Sequence, residues 1–209
     1  MRLGHFSDLH GNISHIEGSP EVWVCSGDFF PNETRGIVAE ETVTQTAWFN
    51  AIVDELIARL GGKPVIWVGG NHDFVNLAKL LTERGYPAFD ATEGMVEFGG
   101  HRFAGFREVP FMAGEWAGET HDLNPMVDRA FEMNPTILVT HAPPAGILDN
   151  DNGCGHGCGV RPLATALAYR PHNIVAHLFG HIHADNGHIE EMGIRFFNGA
   201  GTCRIIEVP

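Results

Sequence analysis

Basic residues are scarce in this chain. It has 13 Lys and Arg against 26 Asp and Glu, a formal net charge of −13 over 209 residues. Long nucleic acids are bound by neutralising their phosphates with basic side chains. No Lys/Arg cluster is present, which argues against long nucleic acid as a partner. A small anionic substrate fits only if something else supplies positive charge, and bound divalent metal does that. Long apolar runs are also missing. None approaches the roughly 18 residues that a membrane helix needs, and the N-terminal "MRLGHFSDLHG" lacks the apolar stretch of a signal peptide. These absences predict a cytoplasmic protein that does not engage a membrane. There are only four cysteines, Cys25, Cys154, Cys158 and Cys203, and in a chain of this size they are expected as free thiols rather than a disulfide framework. Repeats, low-complexity tracts and linkers are lacking too. The chain therefore reads as a single domain over 1–209, long enough to bury its own core.

Short apolar runs alternate with turn signals. "LGHF" (3–6), "VWVC" (22–25), "VIWV" (65–68), "TILVT" (136–140) and "IVAHLF" (174–179) read as buried strands. Hairpins are expected at 94–98 with 101–106 and at 186–190 with 193–197, each turning on glycine, and a last strand at 203–208. Helical periodicity falls at about 40–60, 73–84, 120–132 and 160–169. The expected fold is α/β, a layered arrangement with mixed sheets.

The informative pattern lies where the strand runs end. Asp8 and His10 follow the first, Asp28 the second, Asn71, His72 and Asp73 the third, His141 the fourth, and His181 and His183 the fifth. Ligands of open α/β sheets gather outside the carboxyl ends of the strands. Each group has a plain structural reading by itself. Asp8 and Asp28 suit turns, Asp73 suits the N-cap of the following helix, Pro143 and Pro144 stiffen the loop after His141, and His181 and His183 fit a polar corner. Five such groups at equivalent places favour a shared site. Carboxylate, imidazole and amide oxygen are donors of intermediate hardness, suited to Mn, Fe, Zn or Co rather than to an all-oxygen calcium site or an all-thiolate zinc site. Their number exceeds one four-ligand site and matches two metals sharing a carboxylate. If "GHIH" is extended, His181 and His183 project to the same side and reach neighbouring ions.

The blocks "SDLHG", "GDFF", "GNHD", "THAPP" and "FGHIH", in this order from residue 8 to 183, resemble the signature of the calcineurin-like metallophosphoesterase superfamily. The stretches "THAPPAGILD" and "FGHIHADNG", and more loosely "RFFNGAG", are similar to its small metallophosphoesterase-domain branch. The resemblance implies a sandwich of two mixed β-sheets flanked by helices and a cofactor of two divalent transition-metal ions, Mn foremost. Asp8, His10 and His183 would hold the first metal, and Asn71, His141 and His181 the second. Asp28 would bridge both, as would a hydroxide that attacks phosphorus. His72 would act on the phosphate and leaving group without ligating metal. Asp73 either holds the His72 ring or caps the next helix, the cap being preferred.

The implied activity is phosphodiester hydrolysis, with small diesters such as 2′,3′- or 3′,5′-cyclic nucleotides as substrate. The alternatives are a phosphomonoesterase or protein phosphatase and, in a different class, a non-catalytic scaffold on the same fold. Phe29 and Phe30 are read as core in preference to a base-stacking wall. Trp116 is read as packing in preference to a pocket edge. "CGHGCG" (154–159) is read as a glycine loop at the site mouth in preference to a third metal site, for which no fourth ligand is evident.

Overall fold

The computed structural model describes residues 1–34, 36–112, 116–151 and 158–209. The strands are β1 (Arg2–Ser7), β2 (Val22–Cys25), β3 (Val65–Trp67), β4 (Ala88–Asp90), β5 (Val96–Phe98), β6 (His101–Phe106), β7 (Val109–Pro110), β8 (Glu119–Thr120), β9 (Ile137–Thr140), β10 (Ala176–Phe179), β11 (Gly187–Glu191), β12 (Ile194–Asn198) and β13 (Thr202–Glu207). The α-helices are α1 (Val38–Leu60), α2 (Leu77–Glu83), α3 (Asn124–Glu132) and α4 (Arg161–Tyr169).

Two mixed sheets form the centre. The first has the order β13-β1-β2-β3-β4 and the second β11-β12-β10-β9-β6-β5. Within each, the inner strands run parallel and antiparallel partners sit at an edge: β13 beside β1, β11 beside β12, and β5 beside β6. The pleat decides which side chain goes where, because successive residues face opposite ways. On β2, Val22 and Val24 join Leu3 and Ile66 against Ile137, Val139, Ala176 and Leu178 of the second sheet. Trp23 and Cys25 turn outward under Phe49, Val53, Leu56 and Leu60 of α1. On the far side, Leu138, Phe179 and Phe196 meet Val127 of α3 and Leu163 and Leu167 of α4. The layers are therefore helix, sheet, sheet, helix, and strands buried on both faces read as unbroken apolar runs.

Helix α1 ends where expected: Gly61 adopts φ 61° and its N–H reaches back to the carbonyls of Ile57 and Ala58. The hairpins are also as read. Gly99 and Gly100 (φ 58° and 81°) join β5 to β6, and Met192 and Gly193 (φ 52° and 73°) join β11 to β12, left-handed pairs that suit a two-residue hairpin turn.

Three expectations are corrected. The helix placed at 73–84 is only α2, Leu77–Glu83, and Asn76 caps it, accepting from the Lys79 N–H. Asp73 is withdrawn from capping because the loops around it use its carboxylate. "GHIH" is not extended: His181 has φ 67° and His183 opens a short 3₁₀ turn. Not all cysteines are free thiols. Cys158 is disulfide-bonded, while Cys25 and Cys203 are free. Most of "CGHGCG" lies outside the described residues. No described helix is long and apolar enough to cross a membrane.

Candidate metal and phosphoester site

Five parallel strands from both sheets deliver the chemistry. Asp8 and His10 follow β1, Asp28 follows β2, Asn71 and His72 follow β3, His141 follows β9, and His181 and His183 follow β10. Their ligand atoms form three overlapping groups, Asp8 with His10 and His183, Asp28 with His141 and His181, and His10 with Asp28 and His72, each within 4.8 Å. Asp28 belongs to two of them. Asn71 joins the second group through a 3.0 Å contact between its Oδ1 and Nε2 of His141. All eight residues expected at the site are thus brought together. His181 and His183 fall into separate groups, although a turn rather than strand alternation puts them there.

Backbone geometry makes the convergence possible. Asp8, His10, Asp28 and His181 all have φ between 43° and 67°, a region few non-glycine residues enter. Each loop therefore doubles back over its strand end. Gly70 and Gly180 allow the close approach this requires. A Cβ on Gly70 would stand 2.1 Å from Oδ1 of Asp28, and one on Gly180 would stand 2.0 Å from Oδ2 of Asp8.

Hydrogen bonds then orient the donors. Nδ1 of His141 donates to the Ser26 carbonyl at 2.8 Å, so Nε2 is the free nitrogen. That nitrogen faces Asn71 Oδ1 at 3.0 Å and Asp28 Oδ2 at 3.1 Å. Three electron-rich atoms meeting in a buried place require a cation or a proton among them. With protons alone, burial works against a charged His141, but the Asp28 carboxylate outweighs it and carries the pKa up to about 9. Asp28 moves the other way, its burial outweighed by His141, and stays well below the usual carboxylate range. The His183–Asp8 contact at 3.2 Å raises the pKa of His183. The loss of water around His181, and then the charge at His141, bring His181 down to about 4. Neutral imidazoles, ionised carboxylates and one amide oxygen are the donor states that divalent transition metals need, so the residues fit such ions.

Asp73, next to His72 in sequence, does not hold the His72 ring. Its carboxylate accepts the N–H groups of Gly70, Asp28, Phe29 and Phe30 at 2.7–3.1 Å and so ties the β2 loop to the β3 loop. Burial and then Asp28 lift its pKa to about 6, while the four donors favour the charged form. The His72 ring is held by Asn32, whose Oδ1 takes the Nδ1 proton at 2.7 Å while its Nδ2 donates to the His72 carbonyl at 3.0 Å. That leaves Nε2 of His72 as the working nitrogen.

Several participants leave little trace in the sequence. Trp116 lies against His72 with ring centroids 4.0 Å apart, so it edges the site rather than packing in the core. Gln45 of α1 donates to the His72 carbonyl at 2.7 Å and accepts the Phe74 N–H at 2.8 Å. Nη2 of Arg107 donates to the carbonyls of Gly70 and Asp73, each at 2.6 Å. Asn198, ending β12, donates to the carbonyls of Ile182 and Asp185 at 2.9 and 3.1 Å and fixes the "GHIH" turn. The pocket-edge role of Trp116 is one the sequence offers only as second to packing, and of the others only Asn198 had a signal, in "RFFNGAG". Phe29 and Phe30 are fully buried and stack edge-on with each other and with Trp48, which makes them core.

The sequence profile described as "calcineurin-like phosphoesterase" matches residues 1–185. Among solved structures, one crystal structure is 13% identical with a TM-score of 0.67 over 100% of this chain and 99% of its own. A Staphylococcus aureus protein provisionally described as a 5′-nucleotidase, in complex with alpha-ketoglutarate, is 13% identical with a TM-score of 0.57, over 96% of this chain and 49% of its own. This chain therefore spans about half the length of that protein. At these identities the likeness is one of fold. No curated protein sequence matches at a significant level.

Proposed function

The chain belongs to the calcineurin-like phosphoesterase family, and from that premise we propose that it is a metal-dependent phosphodiesterase acting on small diesters, cyclic nucleotides among them. The observation that carries this reading is the position of Asp28, shared between two donor groups with His72 beside it. Asp8, His10 and His183 would hold one divalent cation and Asn71, His141 and His181 the other, with Asp28 touching both. When bound, such ions bring the pKa of water down towards neutrality and neutralise charge on phosphoryl oxygens.

The chain's own groups do the rest. Nδ1 of His72 donates to Asn32, so Nε2 carries a proton only in the imidazolium form. In that form Nε2–H would meet a phosphoryl oxygen and pass its proton to the departing alkoxide, leaving the neutral Nδ1–H ring, a role worth about 10²–10⁴-fold. Trp116 and Asn32 keep its ring from turning away. Nη2 of Arg107 is committed to the carbonyls of Gly70 and Asp73, and the preference for diesters rests on the likeness of "THAPPAGILD" and "FGHIHADNG" to the small metallophosphoesterase-domain branch.

A second reading, phosphomonoester hydrolysis, is favoured by the description of the Staphylococcus aureus neighbour as a 5′-nucleotidase. One panel separates them. With Mn²⁺ added, bis-p-nitrophenyl phosphate and cyclic nucleotides should be hydrolysed with a kcat/KM at least about tenfold above that for p-nitrophenyl phosphate, and chelator should abolish both. The reverse ratio would favour the monoesterase. No hydrolysis of either class with metal bound would leave the scaffold alternative.

A further inference from the structure

Two short stretches, 109–112 and 116–120, lie beside the site. They are pinned where β7 pairs with β8, where the Phe111 N–H reaches the Thr120 carbonyl at 2.9 Å, and where Ala117 N–H reaches the Asn71 carbonyl at 2.9 Å. The second stretch carries Trp116, whose ring lies against His72. The first carries Phe111 and Met112, and a cavity of about 330 Å³ is lined by these two with Pro110, Asp151, Cys158, His181 and Ile182. A larger cavity of about 530 Å³ between Phe106, Arg107, Met126 and Arg129 includes none of the metal-donor residues.

Phe111 and Met112 are 45% and 49% exposed. Two large apolar side chains side by side at the surface give the donor cluster an apolar neighbour. Phe111 is not loose. Its ring stacks on His121 with centroids 4.1 Å apart at 30°, so one face is held while the residue also lines the cavity. Beyond His181 the wall is mainly apolar, with Pro110, Phe111, Met112 and Ile182, and Asp151 and Cys158 complete the lining. The volume is at the small end for ligand sites, enough for one ring system and too small for an oligomer. Aromatic and thioether surfaces are the ones that hold a flat ring by stacking and sulfur contact.

We propose that this cavity is the subsite for the organic group of the substrate and that it takes a flat aromatic ring, a nucleobase or an aryl substituent, with the phosphorus at the metal-donor cluster beside His181. The proposal rests on the phosphoesterase reading for the position of the phosphorus. Phe111 is the platform and Met112 closes over the ring edge. Specificity would then come from Phe111 and Met112, and the donor cluster would be indifferent to the alcohol.

The test uses two non-hydrolysable probes on the Mn²⁺-loaded full chain, benzylphosphonate and methylphosphonate, with dissociation constants measured by calorimetry. The benzyl probe should bind about tenfold more tightly, the ratio that one stacked ring is worth. Phe111→Ala should bring the two constants together by weakening the benzyl probe, and Phe111→Tyr should restore the difference. Equal constants in the native chain, or a preference that survives Phe111→Ala, would overturn the proposal. Turnover of bis-p-nitrophenyl phosphate is read separately. Turnover without ring preference defeats the subsite alone, and absence of both turnover and phosphonate binding defeats the subsite together with the phosphoesterase reading.

Discussion

Deleting the imidazole of His72 and deleting the carboxylate of Asp28 should leave opposite signatures. His72→Ala should retain both metals by elemental analysis while kcat falls about 100-fold or more, the range for a lost general acid; full activity would remove His72 from the chemistry. Asp28→Ala should lose both ions together, because that side chain lies in two donor groups. One ion persisting at full occupancy would show that Asp28 is not shared. The two groups also differ in exposure. His10 and His183 are exposed, whereas Asp28 and His141 are buried, so a chelator should strip the ion beside Asp8 before the one beside His141. A single-phase loss followed by metal analysis would contradict that order. The donors themselves were legible in the sequence because their spacing after each strand is characteristic. Asn32 and Arg107 were not, and Trp116 reads first as packing, since a lone side chain reaching across from another loop leaves no spacing to read.

Helix α1 shows how an element can serve packing and site at once. Its buried stripe runs Leu60, Leu56, Val53 and Phe49, then changes chemistry to Gln45 and Glu41. The apolar part holds the first sheet. The polar part holds loops, Gln45 gripping the His72 carbonyl and the Phe74 N–H and Glu41 accepting the N–H groups of Glu33 and Thr34. Gln45→Leu keeps the volume but strands those buried groups. It should destabilise by about 1–3 kcal/mol in denaturant unfolding and lower kcat by loosening the His72 loop. An unchanged midpoint with unchanged kcat would mean the loop holds itself. Periodicity revealed this helix, but no pattern showed that its first turns reach the site. Elements of two or three residues escaped as well. β4, β7 and β8 are too short for alternation to register, and tertiary pairing alone makes them strands. The shift of α2 to Leu77 has a similar origin, because the carboxylate that looks like a cap is used by two other loops.

Taken as a whole, the sandwich buries two imidazoles as neutral groups. His5 on β1 meets Ser26 Oγ at 2.9 Å. His177 on β10 meets Thr140 Oγ1 at 2.8 Å, and that hydroxyl in turn donates to the Ala142 carbonyl. Burial, partly offset at His5 by Asp8, holds each near pKa 3, against about 6.5 in an unfolded chain. The unfolded chain therefore binds protons that the folded one refuses. The stability these groups contribute is complete above pH 6.5 and declines as pH falls towards 3, by about 1.4 kcal/mol per pH unit for each. Urea unfolding between pH 7 and pH 4 should show this decline, and His177→Phe should flatten its slope. Equal slopes would place the acid sensitivity elsewhere. The layered architecture was readable because parallel strands buried on both faces are runs of apolar residues. These two histidines lie inside such runs rather than after them, which sets them apart from the site histidines, but nothing in the sequence shows that they are buried as neutral groups.

The donor groups draw on both sheets, Asp28 with its neighbours from the first and His141 and His181 from the second. Any ion gripped there adds a further fastening between two layers that meet through apolar contact and through hydrogen bonds such as that of His141 to the Ser26 carbonyl. Such a rivet binds the assembled sandwich and not the open chain, so it shifts folding by mass action. Thermal midpoints should climb with Mn²⁺ concentration well past the level that saturates turnover, and the two sheets should come apart in one step when loaded. Calcium, whose preference for oxygen donors suits the site poorly, should raise the midpoint far less.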